Sequence, residues 1–372
     1  MRNQRRELTK PNDQGTNRPP GMCRRDFIRK GSVGLAGAGL GALWHSGANA
    51  QEQQKSTVVM VKHGGATDER GVGDPAVVKK LVARCIAELT GKESPRDAWR
   101  EFVSPDDIVG IKVNCIARKN FSTQVCVVDA IVDGLRSAGV KPNNIIVWDR
   151  WNWEMESGGY KMNMSDEGVR CYGTDKGSFE PAKLRGVARG DRDKVIKELT
   201  GRFYAETPTD IAGVPVYFSK ILRDDITALI NVPLIKDHRI AGVTCSMKNH
   251  FGSIINPSDL HPANCDPYLP HLNLVPPIRD KTRLIVTDVL RAVYNGGPSD
   301  SPDRWRQNAV MVSTDTVAMD TLALRMIEEK REEHGFAPIG DRARYVATAA
   351  TLGLGTNDPA QIDLNEIDIT ST

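Results

Sequence analysis

Ile108-Val109-Gly110-Ile111-Lys112-Val113-Asn114, then an amphipathic run from Thr123 to Ala138 stopped by Gly139, then Ile145-Ile146-Val147-Trp148-Asp149: this succession decides the fold. Two short β-branched runs flanking a helix-length run predict a parallel crossover unit. Working outward, Thr57 to Lys62 reads as a strand. Asp74 caps a helix that has Pro75 in its first turn and runs toward Gly91. Further strands are expected at Val214 to Phe218, Ala228 to Val232, Leu284 to Asp288 and Val310 to Ser313, with a helix from Asp315 to about Glu333. The expected class is α/β, with a mostly parallel, doubly wound sheet and helices on both faces. Residues 151–213 are polar and glycine-punctuated, with Trp151, Trp153 and Tyr160 spread through them, and read as an excursion or cap within a single domain spanning 51–372.

The first 50 residues read as an export signal. Arg24-Arg25-Asp26-Phe27-Ile28-Arg29-Lys30 has the pattern of a twin-arginine address. The apolar run from Gly31 to Trp44 is too short and glycine-rich to span a bilayer stably. Ala48-Asn49-Ala50 then offers small residues for cleavage before the polar Gln51. The twin-arginine translocase is therefore an expected partner, and the expected location is the periplasm or another exported compartment. That route carries folded proteins, which favours a cofactor acquired before export without requiring one. Nine of the 50 Lys+Arg and three of the 47 Asp+Glu lie in residues 1–50, leaving 41 against 44 and a formal charge of about −3. With no long basic run elsewhere, no nucleic-acid footprint is seen. No long apolar run follows residue 50, so no membrane contact is expected after cleavage.

Cys85, Cys115, Cys126, Cys171, Cys245 and Cys265 form no C-x-x-C pair, and their wide spacing lacks the density of a disulfide scaffold. Cys85 and Cys126, among apolar neighbours, read as buried thiols. The ferredoxin cysteine run is missing, so no built-in iron–sulfur cluster is expected.

Ligands of open parallel sheets bind beyond the carboxyl ends of the strands. Asn114, Asp149, Asn231, Asp288 and Asp315 each follow an apolar run at such an end, where cap and turn residues are also at home. The densest chemistry lies between Asn231 and His271, where four of the seven histidines of the chain fall. Lys236, His238 and Lys248 are the catalytic candidates, because lysine and imidazole supply anion binding and proton transfer near neutral pH. No standard metal spacing is present. The candidate metal ligands are His238, His250 and His261. His261 and His271 sit in a proline-rich stretch that also reads as plain loop. Tyr294-Asn295-Gly296-Gly297-Pro298 is a second candidate, since the bare amides of Gly296 and Gly297 suit an anion, though a simple turn is the more natural reading. There is no dinucleotide fingerprint, no phosphate-binding P-loop and no nucleophile elbow.

At these residues the chain resembles the domain-of-unknown-function family 362, whose members are sometimes fused to ferredoxin modules. The resemblance spans Ile108 to Glu329. It rests on the strand ending at Asn114, the strand ending at Asp149, the N-V-P-x-x-K-x-H segment with Lys236 and His238, and the M-K-N-x-F-G segment with Lys248, Asn249 and Gly252. His261, the V-T-D strand, the G-G-P loop and Ala318-Met319-Asp320 complete it. The resemblance implies Asn249 and Gly252 as further ligand-binding residues and supplies no substrate. Three readings follow: an exported enzyme, redox-related or not, acting on an anionic or metal-bearing ligand in a strand-end cleft; a non-catalytic cofactor-binding or maturation protein for an exported redox partner; or a structural role in which the lysines and histidines are loop scaffolding. The cofactor is left open.

Overall fold

The computed structural model describes residues 55–178, 198–299 and 301–371. Residues 1–50, read above as the signal, and part of the 151–213 excursion lie outside them.

The crossover unit at 108–149 forms as the sequence requires. Strand β1 (Ser56–Lys62) leads into helix α1 (Pro75–Thr90) and the short α2 (Pro95–Arg100), and β2 (Val109–Lys112) into α3 (Val125–Ala138) and β3 (Ile145–Trp148). Asp74 accepts from the amides of Ala76 and Val77 at the start of α1, and Gly91, at φ +66°, closes its end. Gly139, at φ +100°, ends α3. In α3, Gly134 lets Trp99 of α2 lie against the helix, where a Cβ would come within 2.1 Å of the indole.

After β3 come α4 (Asn152–Ser157) and β4 (Arg170–Cys171), which pairs with β3. The excursion thus gives the sheet one edge strand. Strands β5 (Thr209–Ile211) and β6 (Val214–Val216) form a separate hairpin, so the run expected as a sheet strand at Val214 to Phe218 lies outside the main sheet. The chain then makes β7 (Ala228–Asn231), β8 (Leu234–His238), β9 (Gly242–Thr244), α5 (Tyr268–Leu274) and α6 (Pro276–Arg279). It closes with β10 (Thr282–Val293), β11 (Arg304–Trp305), β12 (Ala309–Ser313), α7 (Thr316–Glu333), α8 (Tyr345–Thr351) and β13 (Ile362–Asp368).

The main path of the sheet runs β13-β1-β12-β10-β7-β2-β3-β4, with β8, β9 and β11 attached through β10 and β8. Pairing is parallel from β10 to β4 and between β1 and β13, whereas β12 is antiparallel to both of its neighbours. The sheet is mixed and mostly parallel. Alternate residues feed opposite faces. Val59 and Val61 join Ile111, Val147, Ile230 and the apolar sides of α1, α2 and α3, while Val58 and Met60 join Ile146, Trp148, Leu229 and the apolar sides of α5, α7 and α8. Two cores sandwiching one sheet give the α/β class.

Beyond Asn231 the chain bends at Pro233, and β10 exchanges partners: its first half pairs with β7 and its second half with β8. The β8–β9 hairpin therefore extends past the carboxyl ends of β7 and β2. That extension positions the site.

Candidate functional site

The floor of the site is set by a lysine inside an apolar strand. Lys112 closes β2 fully buried, and its ammonium donates to Asp149 Oδ1 at 2.7 Å and to the Val113 carbonyl at 2.6 Å. Asp149, one residue past β3, also accepts from the amides of Cys115 and Arg150. Each charge thus has its counter-charge and hydrogen bonds, the condition under which an ion pair is tolerated in a core. Gly252 lies against this pair: a Cβ there would sit 2.4 Å from Asp149 Oδ1 and 2.6 Å from Lys112 Nζ.

Above the pair runs a chain of three asparagines whose amide orientations follow from their end partners. The carbonyls of Ser246 and Lys112 can only accept, so Asn231 and Asn249 turn their NH2 groups toward them. Asn231 Oδ1 then accepts from Asn249, and Asn249 Oδ1 accepts from Asn114. Asn114 Oδ1 is left facing Lys236 Nζ at 3.0 Å. Four elements are locked together, and one buried ammonium receives a neutral amide as its hydrogen-bond partner.

Lys236 and His238 alternate along β8 onto one side of the strand. Lys236 is fully buried, and burial lowers its pKa to about 7, opposed by the nearby Asp149 charge. Lys248 is the second residue of a 3₁₀ turn, Met247–Ser253, with its ammonium 3.4 Å from His261 Nε2 and 3.6 Å from the centre of the Phe251 ring. Burial brings it to about 8. Among the described residues no carboxylate lies within ion-pairing distance of either lysine. Glu154 of α4 faces the same space, and burial followed by the charge of Asp149 raises its carboxyl to about 8.

Both histidines of the wall are held neutral with defined tautomers. His238 Nδ1 accepts from the amides of Ile240 and Ala241, so its proton is on Nε2. His261 Nδ1 faces the Pro257 carbonyl at 2.9 Å and must donate, which turns its Nε2 lone pair toward Lys248. Burial lowers His238 to about 2 and His261 to about 4, with the charge of Lys248 acting in the same direction. The rings stack at 5.5 Å. Lys112, Asn114, Asp149, Glu154, Lys236, His238, Thr244, Lys248, Asn249, Gly252 and His261 thus surround one cavity of about 110 Å³, closed in part by Phe251, Pro257 and Pro298 and bordered by Arg150 and Ile116.

Other candidates lie elsewhere. His250 is buried off the cavity with Nδ1 3.2 Å from Ser253 Oγ, and burial lowers it to about 3. It does not join His238 and His261. Among the described residues no three His, Cys, Asp or Glu side chains are arranged to hold a metal ion, and the ammonium of Lys248 occupies the position a cation would need beside His261. The residues present do not fit a metal there. Asp288 lies within β10, its two oxygens taken by the amides of Gln124, at the start of α3, and Leu290, and burial raises it to about 6. Asp315 caps α7, accepting from Val317 and Ala318, and also from Ser56 and Thr356. It lies at the opposite edge of the sheet because β12 is reversed: Ser313 pairs with Ile285 and Val58, near the starts of their strands. In the glycine loop the Gly297 amide donates to Asp237 Oδ1, and a Cβ at Gly297 would sit 2.0 Å from the Asp237 carbonyl oxygen. Gly296, at φ +89°, packs on Ser301. The loop is an anchored turn that brings Pro298 to the cavity.

Glu154, Arg150 and Thr244 were not read from the sequence as site residues. Lys112 carries a signal that was available, a lysine inside an apolar strand run. Glu154 carries none, since nothing in its short helix, Asn152–Ser157, marks an acidic residue for burial.

The fold and the pocket define an α/β protein with a polar-lined cavity at the carboxyl ends of its central strands. The family model described as "Domain of unknown function (DUF362)" matches residues 109–325, more than half of the chain, and the chain belongs to that family. No curated protein matches it. Among solved structures it is similar to a crystal structure of a Thermotoga maritima protein from a structural genomics consortium, at 11% identity and a TM-score of 0.30, over 75% of this chain and 59% of that one. The chain therefore spans less than two thirds of that protein.

Proposed function

We propose that the cavity binds a small oxygen-bearing anion and that Lys236 exchanges a proton with it. The observation that carries this reading is the pair of buried ammonium groups, Lys236 and Lys248, that line one cavity with no carboxylate partner among the described residues. A buried charge left without a counter-charge is costly, and an anionic ligand would supply it. Lys248, steadied by the His261 lone pair and the Phe251 face, is the anion-binding cation. Lys236, near 7, and Glu154, near 8, both change protonation close to neutral pH, which suits a general acid–base pair. The enzyme reading of the pocket rests on these groups alone and invokes no metal.

Titration calorimetry with acetate and with inorganic phosphate tests it. Binding should be tighter at pH 6, where both lysines are protonated, than at pH 9, where both are mostly neutral. Lys248→Met should weaken it at least about tenfold, the loss of one charge-assisted hydrogen bond. A parent protein that binds neither anion at pH 6 contradicts the reading.

The sequence before residue 51 supports export by the twin-arginine route, so the proposed setting of this chemistry is outside the cytoplasm. No helix among the described residues is long and apolar enough to cross a membrane.

A further inference from the structure

Thr244 is a polar group of the cavity to which anion binding by the two lysines gives no role. It sits on β9 directly opposite Lys236 of β8, and opposed residues of an antiparallel pair share a face. The residue is 4% exposed, it lines the same cavity as Lys236, His238 and Lys248, and its hydroxyl has no hydrogen-bond partner. Buried hydroxyls are almost always hydrogen-bonded, so an orphan beside a ligand cavity marks a place where a ligand atom belongs. The neighbouring groups restrict that atom. The ammonium groups suit a carboxylate, and the neutral Nε2–H of His238 and the hydroxyl of Thr244 suit an uncharged oxygen beside it. Size restricts it further: an apolar cavity of ~150 Å³ holds the six heavy atoms of benzene, so the cavity of about 110 Å³ takes a molecule no larger than that, of about four to six heavy atoms.

We propose that Thr244 determines specificity by hydrogen-bonding the hydroxyl or oxo substituent of a small hydroxy- or oxo-carboxylate whose carboxylate lies between Lys236 and Lys248. This rests on the anion-binding reading of the same site and adds the substrate class. A site with a buried hydroxyl rejects an analogue lacking the matching oxygen, because that hydroxyl then stays unpaired.

The test compares lactate with propionate, and glycolate with acetate, by titration calorimetry of the full chain at pH 6. The parent should bind each oxygenated acid at least about tenfold more tightly than its plain counterpart. Thr244→Val, nearly isosteric, should lower that preference to within about threefold while leaving propionate affinity unchanged, and Thr244→Ser should keep the preference. Equal binding of lactate and propionate by the parent overturns the role of Thr244 while leaving the anion site intact. Loss of propionate and lactate affinity alike in Thr244→Val also overturns it, since the side chain would then be structural. A parent that binds none of the four acids overturns the anion-binding reading beneath it.

Discussion

Lys112 and Lys236 are both lysines inside apolar strand runs, and their surroundings send them to opposite roles. Lys112 meets Asp149 at 2.7 Å and becomes part of the floor, whereas Lys236 meets only an amide oxygen and stays available. The stability of the protein should show the difference. Burial depresses Lys236 from 10.5 to about 7, so the unfolded chain binds more protons between those values, and the contribution of this group to stability falls as pH drops from about 10.5 to 7. Lys236→Met should remove that slope and raise stability at pH 6 by about 1–4 kcal/mol relative to the parent, measured by urea unfolding across the pH range. A parent and variant with parallel pH profiles would mean that Lys236 is solvated. Gly252→Ala should cost about 1–3 kcal/mol by the same assay and abolish anion binding, because its Cβ would displace Asp149 or Lys112. At this scale the sequence is readable for Lys236, His238 and Lys248, which cluster. It is silent on Glu154 and Thr244, whose meaning comes from neighbours far away in the chain.

Helix capping and strand direction settle what the carboxylates do. Asp315 and Asp288 follow apolar runs just as Asp149 does, yet one caps α7 at the far edge of the sheet and the other holds the chain at the start of α3. Asp315→Ala should therefore lower stability by about 1–2 kcal/mol, the cost of a lost cap, with no change in anion affinity. A drop in affinity at unchanged stability would return Asp315 to the site. The crossover of β2, α3 and β3 is legible because its periodicity and its glycine stop agree. The reversal of β12 is not, since an apolar strand run carries no mark of its direction. The break at Pro233 is visible as a residue, but only the pairing of β10 with β7 and then β8 shows that it carries Lys236 out over the sheet edge.

Among the described residues of the molecule, an 11-stranded sheet packed on both faces carries a polar cavity at its carboxyl edge, and the first 50 residues are read as the address of the protein. Replacing Arg24 and Arg25 together by Lys should hold the protein in the cytoplasm, since the guanidinium pair and not charge alone is recognised. Cell fractionation decides this, and mature protein outside the inner membrane from the double variant would contradict it. Whether the two ammonium groups, unpaired among the described residues, face one anion is read by NMR of protein carrying 13C-labelled lysine side chains, titrated over pH 5–11. Two lysine Cε signals should titrate near 7 and 8, disappear in turn from Lys236→Met and Lys248→Met, and shift to higher pKa when acetate is added. Lysine signals that all titrate near the ordinary value of about 10.4 and ignore acetate would contradict the account.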